Sequence, residues 1–140
     1  MCLGASEIWA AIVAAVLGAL GYLAATFWFR PILRYLDAKQ KISSDLIFYA
    51  NVITDKDLNE EMRRRYWARV ESDRRNSADL YAHFESLPGW YLWRLKLLGE
   101  APLEAKDELM GLSNTREWKI ASERIAKIIR VLRLRIKNPL

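Results

Sequence analysis

Residues 8–29 read IWAAIVAAVLGALGYLAATFWF, twenty-two positions without a charge. At 1.5 Å per residue this stretch makes a helix of roughly 33 Å, enough for a hydrocarbon core of about 30 Å. A core helix of that length in a globular protein carries a polar face, and none can be drawn here. Trp9 stands near one end and Phe27, Trp28 and Phe29 stand at the other, where amphipathic rings favour the headgroup zone. A cleaved signal peptide is the competing reading. It calls for a basic leading region, a shorter apolar run and a small-x-small cleavage site, whereas Glu7 is the only charge ahead of this run. The expectation is one retained transmembrane helix at 8–29, with a short extracytoplasmic stub at 1–7 and a cytoplasmic helical domain at 30–140.

Orientation follows from the flanks. Arg30, Arg34, Lys39 and Lys41 come after the run, and no Lys or Arg comes before it. The positive-inside rule then leaves the N-terminus outside the cell (inner or plasma) membrane, with Trp9, Trp28, Arg30 and Arg34 at its interfaces. Inside the run, Ala11, Ala14, Gly18, Gly21 and Ala25 recur at alternating spacings of three and four, which puts them on one face. Small residues let helix backbones approach closely, and in lipid that contact replaces the absent hydrophobic drive for association. The face is read as a packing surface for a second copy or for a partner's span. The blander alternative is that Ala and Gly are simply common in such segments. Cys2, in the stub, is read as an incidental thiol.

The rest of the chain is different in kind. Of the 140 residues, 52% are apolar and 28% charged, the balance of one ordinary globular domain, which excludes a disordered or fibrous chain. All 22 Lys/Arg and every acid except Glu7 lie beyond Phe29, leaving that part at +6. One Cys and one His exclude a disulfide framework and argue against a protein-only zinc site.

Helical spacing dominates downstream. Pro31 should kink the chain or open a new helix. Tyr35, Ile42, Leu46, Tyr49 and Ile53 predict an amphipathic helix over 32–54, interrupted only by Lys39. A turn follows at Thr54-Asp55-Lys56-Asp57, with Asp57 and Glu60 as a capping box. The next helix is expected over 58–87, with Met62, Tyr66, Val70, Leu80, Tyr81, Phe84 and Leu87 on one broad face. Arg69, Asp73 and Ser77 fall on that same face. Arg69 and Asp73, four apart, form a polar core pair, because an unpaired buried charge would cost several kcal/mol.

Ser86-Leu87-Pro88-Gly89 breaks the chain. Trp90 to Leu98 is then apolar almost all around a helix that Gly99 should end. Such a segment needs cover. Its shortness favours the domain core, while Trp90, Trp93 and the flanking cations Arg94 and Lys96 suit a membrane interface. Pro102 opens a short helix to about Leu112. Asn114 and Glu117 suggest a capping box for a last helix over 115–137, with Trp118, Ala121, Ile125, Ile128, Ile129, Leu132 and Ile136 along its stripe. From Arg124 to Lys137 this helix has six cations and no acid. A second ridge of Ile120, Val131 and Leu134 among Arg130, Arg133 and Lys137 is read as a surface for a partner or for lipid.

Chemistry is sparse. His83 has only Asp79, four residues back, as a helical neighbour. The acidic pairs Glu60-Glu61 and Asp107-Glu108 point in different directions, and acid–base work needs two carboxylates brought together. No phosphate loop, nucleophile motif or metal spacing occurs, so neither an enzyme nor a cofactor is expected. Arg63-Arg64-Arg65 with Arg69, Arg74 and Arg75 scatter around the helix among acids, and no nucleic-acid module accompanies them.

The fold expected is all-α, one transmembrane helix followed by a compact bundle of four or five helices. The function expected is a non-catalytic accessory or scaffold subunit at the cytoplasmic membrane face, with lipid and another membrane protein or a second copy as partners. A membrane-tethered sensor or effector, for example in stress or phage defence, is one alternative. An anionic-lipid-surface binder is the other.

Overall fold

A computed structural model describes residues 4–53 and 59–136. Helix is their one kind of regular structure, with no strand among the described residues. Helix α1 (Ala5–Ala24) passes through one π turn (Ala25–Phe29) into α2 (Arg30–Phe48). From Ser6 to Phe48 the rod is unbroken over 43 residues, a length of roughly 64 Å. Pro31 explains the π turn. Its ring would collide with the carbonyl four residues back, that of Phe27, and it has no N–H to donate. A wider turn moves that carbonyl aside, and the Arg30 N–H donates five residues back to the Ala25 carbonyl. The sequence left open whether the helix continues through Pro31, and it does.

Helix α2 stops at Phe48, short of the expected 54. The Val52 N–H donates to the Tyr49 carbonyl at 3.0 Å, and Val52 and Ile53 leave the helix to enter the interior. Helix α3 (Glu60–Glu85) starts at Asn59, whose Oδ1 accepts from the Met62 N–H at 2.8 Å. The expected turn at Thr54 to Asp57 and the capping role of Asp57 lie outside the described residues. Helix α4 (Gly89–Leu98) ends at Gly99, φ +69°, with the Glu100 N–H donating to the Leu95 carbonyl at 3.0 Å. Left-handed backbone there favours glycine. Helix α5 (Pro102–Ser113) has its proline in the first turn.

The last helix departs from expectation at both ends. Helix α6 spans Trp118–Val131, and Glu117, not Asn114, is its N-cap residue. Asn114 instead closes α5, its side-chain amide donating to the Met110 carbonyl at 3.1 Å. At the far end Arg133 takes φ +52° and the Leu134 N–H donates to the Ile129 carbonyl at 2.9 Å, a left-handed helix stop.

Polar links set the stacking. Lys41 meets Asp79 at 3.3 Å, and Asp45 accepts from Ser72 and from Asn76. Helices α2 and α3 are therefore antiparallel, and the same rise brings Leu87 and Pro88 to the level of Ile32, about 5 Å along the rod from Phe29. Ile32 and Leu87 do share the core cluster. Ser77 donates to the Lys106 carbonyl at 2.9 Å and Arg69 reaches the Leu112 carbonyl, so α5 runs antiparallel to α3. Glu108 meets Arg124 at 2.7 Å and Glu104, one turn earlier, meets Lys127 at 2.9 Å, so α6 runs antiparallel to α5. A side chain at Gly111 would collide with the Arg124 guanidinium, so glycine lets Arg124 lie across α5.

The core is one cluster running through the bundle from Ile32, Tyr35, Ile42 and Leu46 on α2 to Leu80, Leu109, Ile125, Ile128 and Leu132. A smaller one joins Val52, Tyr66 and Val70. Helix α1 contributes nothing to either. Its most apolar window is 0% buried, and by length and composition it is the one described helix able to cross a membrane.

Candidate functional site

Two features concentrate polar chemistry or unusual exposure. The first is the centre of α3. Arg69 and Asp73 are each 3% exposed, with Arg69 Nη1 donating to Asp73 Oδ2 at 3.1 Å. The same guanidinium reaches the Leu112 and Thr115 carbonyls, both at 3.4 Å, and stacks 5.3 Å from the Tyr66 ring. Those carbonyls belong to the last turn of α5 and the residues after it. A cation there complements the negative end of the helix dipole. Arg74 extends the same arrangement to Ser113 and Asn114. Burial pushes the Asp73 carboxyl up to about 7; Arg69 pulls it down and Asp45 adds to the rise. Arg69 Nε and Asn76 Oδ1 are buried without a hydrogen-bond partner.

On the α5–α6 side, the hydrogen bond from Lys127 is the main influence holding the Glu108 carboxyl below its usual range. Arg124 assists and partial burial opposes. The hydrogen bonds to Glu108 and Glu104 raise Lys127 in return. This is an ion-paired seam between helices.

The second feature is α4. Only Tyr91 and Leu95 are buried, with Tyr91 edge-on to Tyr35 at 6.3 Å between ring centroids. Trp90, Trp93 and Leu97 are 52%, 66% and 65% exposed, so the core accounts for one face of this segment and not for the other. At 100° per residue these three share the face opposite Tyr91 and Leu95, bordered by Arg94 on one side and Lys96 on the other. Directly after α4, Glu100 accepts from Lys39 at 2.8 Å and from Tyr35 at 3.1 Å, fixing that end to α2.

The basic end of α6 adjoins α4. Arg133 Nη1 donates to the carbonyl of Leu98, the last residue of α4, at 2.7 Å. A left-handed backbone costs a non-glycine residue roughly 1 kcal/mol, and this charge-assisted cap offsets it. A cleft of about 580 Å³ opens here between Leu98, Ile129, Leu134 and the guanidinium-bearing Arg130, Arg133 and Arg135. Of the ridge expected on α6, Ile120 is 41% exposed, whereas Val131 and Leu134 pack on the core. Leu134 also lies past the end of the helix, and Lys137 lies outside the described residues. Trp118, expected in the core stripe, is 50% exposed because it stands in the first turn of α6.

Ala11, Ala14, Gly18 and Gly21 lie on α1, exposed, and Ala25 opens the π turn. A Cβ at Gly18 or Gly21 would meet nothing within 4 Å. Trp9 and Trp28 are also exposed, at 67% and 54%, and so are Arg30 and Arg34. Asp79 is taken by Lys41, and His83 is half-buried beside it on α3. No group of three His, Cys, Asp or Glu able to hold a metal occurs among the described residues. Compared with protein families, characterised proteins and solved structures, the chain has no match.

Sequence spacing brought Arg69 and Asp73 to one helical face. It carried no signal for Glu100, Asp45 or Arg133, whose partners lie 61, 27 and 35 residues away in sequence.

Proposed function

We propose that the chain is a single-pass membrane protein with its N-terminus outside and residues 30–140 in the cytoplasm, acting as a non-catalytic accessory or scaffold subunit. The observation that carries this reading is the unbroken rod. Its first half is apolar and wholly exposed, and its second half is the spine of the bundle. Left in water, α1 would expose some ten large apolar side chains, worth about 10 kcal/mol or more in sum. Lipid supplies the missing cover. Because Ile32 is already part of the core, no flexible linker separates anchor from domain. A domain held so rigidly suits presenting a fixed surface to a neighbour, either another membrane protein or a second copy. The face of Ala11, Ala14, Gly18 and Gly21 would let that neighbour's span approach closely.

The sensor alternative draws on Arg69 and Asp73, but Arg69 already serves as the cap of α5, which favours a structural role. The test is purification from native membranes in mild detergent after crosslinking. An oligomer, or a stoichiometric second polypeptide, is expected. A strictly monomeric chain without a companion counts against it.

A further inference from the structure

The position of α4 along the rod has a consequence for lipid. Antiparallel packing of α2 and α3 brings the start of α4 to the level of Ile32, three residues past Phe29. Tyr91 packs on Tyr35, six residues past Phe29, about 9 Å along the axis. The headgroup layer on each side of a bilayer is about 5–8 Å thick, and a Trp side chain adds several ångströms of reach. Trp90 and Trp93 are thus at headgroup height if α1 spans the hydrocarbon. Their face is apolar, unpartnered and bordered by Arg94 and Lys96, the pattern of a helix lying in an interface plane. Charge agrees. Arg30, Arg34 and the basic end of α6, pinned to α4 through Arg133, occupy the same end. Among acids there, Glu100 is held by Lys39 and Tyr35, leaving Asp37 and Glu85 exposed.

We infer that α4 is an interfacial helix whose Trp90, Trp93 and Leu97 face docks on the cytoplasmic leaflet of the same bilayer that α1 crosses, with anionic headgroups against the neighbouring arginines. The inference rests on the membrane-anchored reading above. It gives the domain a second attachment and fixes which end faces lipid. The distal end, where Trp67 sits on the opening turns of α3, stays in water.

Single nitroxide labels on the full chain in nanodiscs containing phosphatidylglycerol provide the test, in a Cys2→Ser background. The variants are Trp93→Cys, Leu97→Cys, Trp67→Cys and Leu17→Cys. All four positions are exposed, so the fold should survive, with helicity by circular dichroism as the check. Labels at 93 and 97 should collide with oxygen several-fold more, relative to a water-soluble nickel complex, than the label at 67. Equal nickel accessibility at 93, 97 and 67 overturns the inference. So does spin–spin broadening at 93 that vanishes on dilution with unlabelled chain, because a second copy then covers the face. The label at 17 separates the two readings. If it reports the bilayer centre while 93 and 97 report water, the docking fails and the anchor stands. If 17 itself reports water, the anchor fails and the docking with it.

Discussion

Helices α1 and α2 are one rod with no backbone interruption, yet they follow opposite rules. In α2 the buried residues Ile32, Tyr35, Ala38, Ile42 and Leu46 line one face while Lys41 and Asp45 make polar links to α3. In α1 no face is polar and none is covered. On the membrane-anchored reading proposed above, the same helical geometry serves two environments. One is a protein interior, where periodicity decides which side is covered; the other is a surround in which every side must be apolar. The π turn just ahead of Pro31 is the joint, absorbing a proline without ending the rod.

The comparison yields predictions in descending size. Arg69→Met should cost the bundle about 3–5 kcal/mol, because Asp73 is left buried without its cation. The double change Arg69→Met with Asp73→Leu should recover most of that, as read by denaturant unfolding in detergent. Next comes a crossed pair. Ile42→Ala should remove about 2–4 kcal/mol of bundle stability and leave membrane association unchanged. Leu17→Arg should do the reverse, disfavouring insertion by about 3 kcal/mol while the bundle unfolds at the same denaturant concentration. If both variants shift both readouts, the two halves are not separable in this way.

Asp73 supplies a pH test. Its folded pKa of about 7 lies above the unfolded value of 3.8, so between these limits the folded state holds more protons. The contribution of Asp73 to stability should be fullest below about pH 4 and fall as pH rises to about 7, by at most 1.4 kcal/mol per pH unit. Asp73→Asn should flatten that segment of the profile. The smallest effect belongs to Gly99→Ala, roughly 1 kcal/mol of strain in a left-handed position, measured as a shift in the unfolding midpoint.

Local rules recovered much of this architecture. The charge-free run, the Gly99 stop, the Pro102 start and the Arg69–Asp73 pairing all depend on residues within a few positions of one another. What escaped depends on partners distant in sequence. Asn114 fits the cap of either neighbouring helix, and its hydrogen bond to Met110 settles the choice for α5. Arg133 adopts a backbone that local sterics disfavour because Leu98 offers a carbonyl to its guanidinium. The height of α4 along the rod follows only once Lys41, Asp45, Ser72, Asn76 and Asp79 have aligned two helices.

The central claim is that α1 lies in lipid and holds the bundle on the cytoplasmic side. A thiol introduced by Trp67→Cys in the Cys2→Ser background tests it directly, using sealed right-side-out membrane vesicles and a membrane-impermeant maleimide. The chain should stay in the pellet through alkaline carbonate washing, and position 67 should react only after the vesicles are opened. Release into the carbonate supernatant, or labelling of position 67 in intact vesicles, would contradict the account.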